Sequence, residues 1–488
     1  MRSSLAYRLL PRVLTAASSG MAMVALDAAG ADTIFTDGFD TFYFVVPYSA
    51  GGSLPPSPAS RKFALSTQLQ KVDVGFIVDT TGSMGGEISN LKTNLATTII
   101  PNLQAAIPNL GVGIAAHDDV PYSTYGSTAP PSDLPFYILA PQGYVTTAAS
   151  DSATAANALS THNGSDLPES QVLAIYHALT GTGITWPGGS VAADIPPAGT
   201  FGAMHWRSDA FSIVINITDA AHHNGKRALD KTGTSYDTTY QGAYSFAAWN
   251  VDDVVTHINS IGAKFIGVVA DNGLRGTGSF DPYGYDAYIT DKTNSDVPPS
   301  AFGGICKTGL SGAVVAADGP TIGSVQQCRS VFSIGTSGTG LATSIVKGVD
   351  AELNAAAFDV YVQAYNDAAE VIDVVGNFMF AVEPDPNGGT DPETDAICLA
   401  IPVGQLADNF TGPNAGAGPD GINDTITQAN PGPLYCFNVT AKANTTVPAT
   451  NSMQTFHAWL RVLAIKPDGT LVLGADREVF FLVPAAGS

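Results

Sequence analysis

Val74-Gly75-Phe76-Ile77-Val78-Asp79-Thr80-Thr81-Gly82-Ser83-Met84 decides how the rest of the chain is read. From Val72 the residues are apolar except for Asp73 and Gly75, and the run stops at Asp79, where small hydroxyl residues and glycine take over. A nearly unbroken apolar run of this length reads as a strand covered on both faces, as in a parallel sheet. Beyond it Ile88, Leu91, Leu95 and Ile99 recur at helical spacing, with Glu87 in the first turn, where the helix dipole favours an anion. Strand, short loop and helix together place Asp79, Thr81 and Ser83 at the carboxyl end of a strand. Open α/β sheets bind their ligands at that edge.

Working outward, the alternation continues. A strand over 111–116 ends at His117-Asp118-Asp119, helices follow over 148–159 and 169–179, and a strand over 211–217 ends at Thr218-Asp219. A helix over 245–261, strands over 264–269 and 328–334 and a closing helix over 341–353 complete the pattern, around a Gly/Pro-rich insertion at 181–206. The prediction is a doubly wound, mostly parallel α/β domain over 72–356. After it come short apolar segments at 371–375, 378–382, 397–401, 435–439, 455–465, 471–473 and 479–483, separated by Gly, Pro, Asn and Asp. Pro467-Asp468-Gly469 is a hairpin turn between the last of them, and residues 357–488 read as an all-β, Ig-like sandwich domain. Ahead of the α/β domain, 32–71 reads as one short strand over 42–46 and a linker, Gly51-Gly52-Ser53-Leu54-Pro55-Pro56-Ser57-Pro58.

Composition bounds the partners. Arg2, Arg8 and Arg12 precede a mostly apolar stretch, Val13 to Leu26, and Ala29-Gly30-Ala31 offers a small-x-small cleavage site, so residues 1–31 read as a signal peptide. Its removal would take away three Arg and one Asp and move the net charge from −22 to −24. Such an acidic chain has no electrostatic footprint for nucleic acid or anionic lipid, and no later run is long enough for a membrane span. The expected location is secreted, cell-surface or periplasmic. In that setting the Cys residues read as disulfides, most simply as the local pairs Cys306 with Cys328 and Cys398 with Cys436, the latter across the sandwich; the lack of CxxC spacing argues against zinc.

Three loops at strand ends carry the chemistry: Asp79 with Thr81 and Ser83; Asp166 with Pro168 and Glu169, just before a helix; and Thr218 with Asp219. All offer oxygen and none offers sulfur, which suits a hard cation such as Mg²⁺, Mn²⁺ or Ca²⁺. Hydroxyl ligands are neutral, so a cation held partly by them retains charge that an outside carboxylate can satisfy. His117 and His222-His223 read as loop or strand-end residues rather than ligands. No nucleophile elbow and no His-Glu-x-x-His is present, and the expectation is a protein that is not an enzyme. Acidic loops over 383–395 and 420–424 read as solvated loops rather than calcium sites.

Asp79-Thr80-Thr81-Gly82-Ser83-Met84 resembles the metal-ion-dependent adhesion site of the von Willebrand factor type A family, whose pattern is Asp-x-Ser-x-Ser with Thr allowed for Ser. Asp166-Leu167-Pro168-Glu169, Trp206-Arg207-Ser208-Asp209-Ala210-Phe211 and Ile213 to His223 extend the likeness toward the A-like domain of integrin β subunits, over 72 to about 355. The resemblance implies a central Mg²⁺ or Mn²⁺ held by Asp79, Thr81, Ser83 and Glu169, with Asp219 directly or through water. It implies a flanking Ca²⁺ site from residues similar to Asp118, Asn163, Asp166, the Pro168 carbonyl and Glu169, with the Asn displaced by one position. A third site takes two adjacent acids in the family; here Gly86-Glu87 stands there, leaving Ser83 and Glu87. The implied function is adhesion to a protein ligand that presents a carboxylate. The alternatives are an envelope component in which the metal only stiffens the loops, and a metal-dependent hydrolase.

Overall fold

The computed structural model describes residues 43–139, 141–228, 239–240, 249–276 and 281–487. The signal peptide expected over 1–31, the first part of the 32–71 segment and the start of the helix expected over 245–261 lie outside these residues.

Lys71–Asp79 lies between Asn109–His117 and Phe211–Thr218, parallel to both, and the sheet continues through Lys264–Val269 and Val331–Ser333. Tyr137–Ile138 adds a short antiparallel edge beside Asn109–His117. Side chains alternate across the sheet, and each set has its own core. Val72, Val74, Phe76 and Val78 pack with Ile213, Ile215 and Ile217 against Leu91, Leu95, Ile99 and Leu103 and the closing helix residues Ile345 and Val349. Ile77, Val214 and Phe265 face the other way, toward Val172 to Leu179, Val251, Val254 and Ile258. Helices therefore cover both faces of a mainly parallel sheet. Fully burying each such side chain contributes about 1.5–3 kcal/mol relative to exposure.

The two interruptions in the opening run have separate causes. The indole of Trp206 lies directly over Gly75, where a Cβ would come within 2.2 Å of the ring. Asp73 is buried and ion-paired with Arg207, whose Nε donates to Oδ1 at 2.7 Å and whose backbone N–H donates to Oδ2 at 2.8 Å. After the opening strand one helical rod runs from Gly85 to Ala106, with an i→i+5 stretch, Leu95–Ile99, just before Pro101. A proline ring collides with the carbonyl four residues earlier, and the widened turn relieves that clash.

Several expectations are corrected. The insertion at 181–206 carries two small hairpins, Ile184–Trp186 with Gly189–Val191 and Thr200–Phe201 with Trp206–Arg207. A helix, Pro282–Lys292, was not anticipated, although Asp281 accepts from Tyr283 N–H as its N-cap and Pro282 opens it. The last parallel strand is only Val331–Ser333, because Cys328 instead bridges to Val297.

The antiparallel strands form a six-stranded sheet and a three-stranded sheet. The short strand expected over 42–46 forms as Tyr43–Val45, and the described part of the 32–71 segment adds a second strand, Ser60–Ser66. Tyr43–Val45 pairs in parallel with Gly469–Val483, and Ser60–Ser66 pairs along Leu434–Ala441, so strands from before and after the parallel sheet share one sandwich. The linker composition is confined to the crossing between those two strands. Gln454–Lys466 and Gly469–Val483 form the hairpin expected at Pro467-Asp468, with Lys466 opposite Gly469. Gly469–Val483 is continuous where sequence suggested two pieces, and Arg461 pairs with Asp476 at 2.6 Å beside an irregularity in the ladder. Residues 374–378 are a short helix capped by Asp373 rather than a strand. Both local disulfides form, but Cys398–Cys436 joins neighbouring segments rather than the two sheets, since Leu399 bridges to Tyr435. Among the described residues no helix is long and apolar enough to cross a membrane.

Candidate metal centre

Strand order places the centre. From Lys71–Asp79 the chain moves to the neighbouring Asn109–His117, then returns to the opposite side as Phe211–Thr218. The crevice between the carboxyl ends of Lys71–Asp79 and Phe211–Thr218 is thus the switch point of the sheet, where ligand sites form because the connecting loops part in opposite directions. Thr218 Oγ donates to Asp79 Oδ2 across that crevice at 2.7 Å.

The hydroxyl hydrogens at the centre point at carboxylates. Thr81 Oγ and its backbone N–H donate to Asp79 Oδ1 at 2.7 and 2.9 Å, and Ser83 Oγ donates to Asp219 Oδ1 at 3.1 Å. Each hydroxyl then keeps its lone pairs as acceptors. The three loops are interlocked by backbone bonds: Glu169 N–H to Ala221 O at 2.8 Å, His223 N–H to Glu169 O at 2.8 Å, and His162 N–H to Thr80 O at 2.7 Å.

Glu169 is 3% exposed, and its Oε2 has no hydrogen-bond partner. Burial, then the negative charge of Asp79, Asp119, Asp166 and Asp118, pushes its carboxyl up to about 12. Asp219 is raised to about 6 by burial and by Asp79. The chain thus concentrates carboxylates at one point without a compensating Lys or Arg beside them among these causes. An added divalent cation would reverse the sign of every one of those shifts.

Thr81, Ser83, Asp166, Glu169 and Asp219 line a single open cleft of about 350 Å³, and Ser83 is exposed at its mouth. Asp79 sits beneath it, fully buried. Two hydroxyls, a carboxylate with an orphaned oxygen and a second raised carboxylate form an all-oxygen donor set. The residues present fit a hard cation.

The flanking set does not gather as expected. Asp118 is buried with Asp133 and His162, whereas Asp166 groups with Asp119 and His223. Asp118 is occupied by Thr80 Oγ at 2.6 Å and His162 Nδ1 at 2.7 Å, and its carboxyl is raised by burial. Asn163 reaches this region through its backbone, whose N–H donates to Asp133 Oδ1 at 3.4 Å. In the second group His223 Nε2 lies 3.1 Å from Asp119 Oδ2 and 3.3 Å from Asp166 Oδ2, with its ring stacked on Tyr240. Asp119, Asp133, His162 and His223 thus join these two clusters without having been among the expected ligands. His117-Asp118-Asp119 and His222-His223 were visible signals, read as strand ends; Asp133, in a Pro/Ser-rich loop, gave none.

Packing leaves no room for a second acid at the third site. A Cβ at Gly86 would come within 2.7 Å of Ser337 Cα and 2.9 Å of Thr336 O, so no second acid fits beside Glu87. Glu87 stands in the first turn of its helix, as expected, but it is buried there. It is 1% exposed, neither carboxylate oxygen meets a donor in hydrogen-bonding geometry, and burial, then the charge of Asp219, raises it to about 7.

No protein-family profile and no curated protein matches this chain. Among solved structures it is similar to a von Willebrand factor type A structure from Catenulispora acidiphila, at 11% identity and TM-score 0.31, covering 92% of this chain and 74% of that one. It is also similar to two structures of the pilus adhesin SpaC from Lactobacillus rhamnosus GG, one in an open conformation, at 10% identity and TM-scores of 0.29 and 0.31. Each covers 86% of this chain, which spans 47% and 48% of the adhesin, about half its length.

Proposed function

We propose that this chain is an extracytoplasmic adhesion or protein-interaction module, not an enzyme, that takes a carboxylate of a protein partner at the cleft over Asp79. A Mg²⁺ or Mn²⁺ ion held by Asp79, Thr81, Ser83, Glu169 and Asp219 would supply the Lewis-acidic contact. The reading follows the resemblance to the integrin β A-like domain. One observation carries it: the carboxylates of Glu169 and Asp219 share an open cleft with two hydroxyls whose hydrogens already point at Asp79 and Asp219 and whose lone pairs are left as donors to a cation.

The chain's own residues divide the work. Asp79 orients Thr81 and Thr218 through both of its oxygens. Gln171 Nε2 donates to Thr218 Oγ at 2.8 Å and holds that side of the crevice. Without a cation, the negative charge of Asp219 and Asp166 repels a partner carboxylate, so recognition is expected only with metal present. The exposure of Ser83 favours an open coordination position over a purely stiffening role.

Titration of the full chain with Mn²⁺, followed by water-proton relaxation, tests the reading. One site lost in Asp79→Ala, together with relaxation quenched by acetate, is expected. Metal binding equal to wild type in Asp79→Ala would overturn it.

A further inference from the structure

The rim of the cleft has one apolar feature. Leu167 is 64% exposed, and among the described residues it is the only exposed large hydrophobic side chain that lines this cleft. Its backbone is held on both sides. Asp166 N–H bonds to Tyr125 O at 3.3 Å, and Glu169 N–H bonds to Ala221 O at 2.8 Å. Pro168 restricts Leu167 to extended backbone conformations. An apolar side chain carried on a backbone held this firmly adds little backbone entropy cost when a partner covers it, as expected of a binding anchor.

The cleft also has more room than a carboxylate needs. Its volume of about 350 Å³ equals roughly a dozen waters at about 30 Å³ each. Beyond the donor atoms its lining includes the small residues Gly82, Gly164 and Ala220, so the space beside the carboxylate position is bounded by Leu167 on an otherwise small or polar surface.

We infer that Leu167 is a specificity-determining residue: the partner's carboxylate is flanked by an aliphatic side chain, which lies on Leu167 while the carboxylate meets the cation. This rests on the metal-centred reading of the cleft. A cationic flank is the competing chemistry, because the surrounding acids would attract it, and the experiment separates the two.

The full chain in Mg²⁺ is titrated with acetate, butanoate, 4-methylpentanoate and 4-aminobutanoate, with Kd measured by ligand-observed NMR for wild type, Leu167→Ser and Leu167→Met. A fully buried methylene is worth about 0.8 kcal/mol, or about fourfold in affinity, so two- to fourfold tightening per added methylene is expected on this open rim. Leu167→Met should keep the gradient. Leu167→Ser should abolish it and leave acetate unchanged. A flat series in wild type, an undiminished gradient in Leu167→Ser, or 4-aminobutanoate as the tightest probe would overturn the inference while Mg²⁺-dependent acetate binding keeps the metal reading. Absence of Mg²⁺-dependent acetate binding in wild type would overturn both.

Discussion

In the sandwich, Asp408, Asp420 and Asp424 each give both carboxylate oxygens to backbone N–H groups, at 2.7–3.1 Å. At the carboxyl edge of the parallel sheet, Glu169 keeps an oxygen with no donor although it is nearly inaccessible to water. Both regions are acidic, rich in glycine and irregular in backbone, and by composition they are alike. They differ in what the carboxylates face. In the sandwich the loop folds around its own aspartates and neutralises them with amide dipoles, leaving little for a cation to gain. At the sheet edge the loops are fixed by strand ends and helix starts, cannot wrap, and leave a buried carboxyl without donors facing a cleft.

The comparison breaks first at Asp79. Asp79→Ala should weaken Mg²⁺ binding at least a hundredfold by calorimetry, while far-UV circular dichroism stays native; a lesser loss would place the cation elsewhere. Next comes Glu169→Gln, which removes the carboxyl that burial most strongly keeps in its neutral form. It should weaken Mg²⁺ at least tenfold yet raise the melting temperature of the metal-free protein by a few degrees, an opposition that an ordinary helix-start glutamate would not show.

The pH dependence sharpens the same contrast. Asp219, Glu87 and Glu169 have native values raised to about 6, 7 and 12, so the unfolded chain releases these protons first. Stability of the metal-free protein should then fall as pH rises from about 4 to about 7, with the Glu169 contribution persisting above. Millimolar Mg²⁺ should restore the melting temperature near neutral pH and change little near pH 4–5. A melting temperature that climbs across this window without metal would contradict the charge arrangement described. The smallest effect belongs to the sandwich: Asp420→Ala should cost about 1–2 kcal/mol of local stability, read as faster amide exchange at Gly412 and Ile422, and leave Mg²⁺ affinity unchanged. A loss of cation binding there would erase the distinction between the two regions.

Much of the parallel sheet was legible because buried strands and amphipathic helices leave strong periodic signals: the runs at 72–78, 211–217 and 264–269 all lie in strands. The sandwich was less legible. Phe358–Asn366 and Thr425–Ala429 were overlooked, and the pairing of Ser60–Ser66 with Leu434–Ala441 joins segments hundreds of positions apart, which no local pattern announces. At the centre, the motif and its three loops were readable as residues. The split of Asp118 from Asp166 was not, because adjacent residues Asp118 and Asp119 serve different clusters and only backbone direction decides which acid faces where.

The amino-acid sequence by itself determined that Asp79, Thr81 and Ser83 stand at the end of a buried strand and Asp219 at the end of another, because apolar periodicity stops there, and that Glu169 stands just before a helix, because helical periodicity begins after it. Only the tertiary structure decided that hydroxyl hydrogens turn toward Asp79 and Asp219, that Gly86 is pressed against Ser337, and that one oxygen of Glu169 is left without a donor. The reason is physical. Burial and hydrogen-bond satisfaction depend on which distant backbone arrives beside a side chain, and that is set by the order of strands in the sheet rather than by the neighbours in the chain.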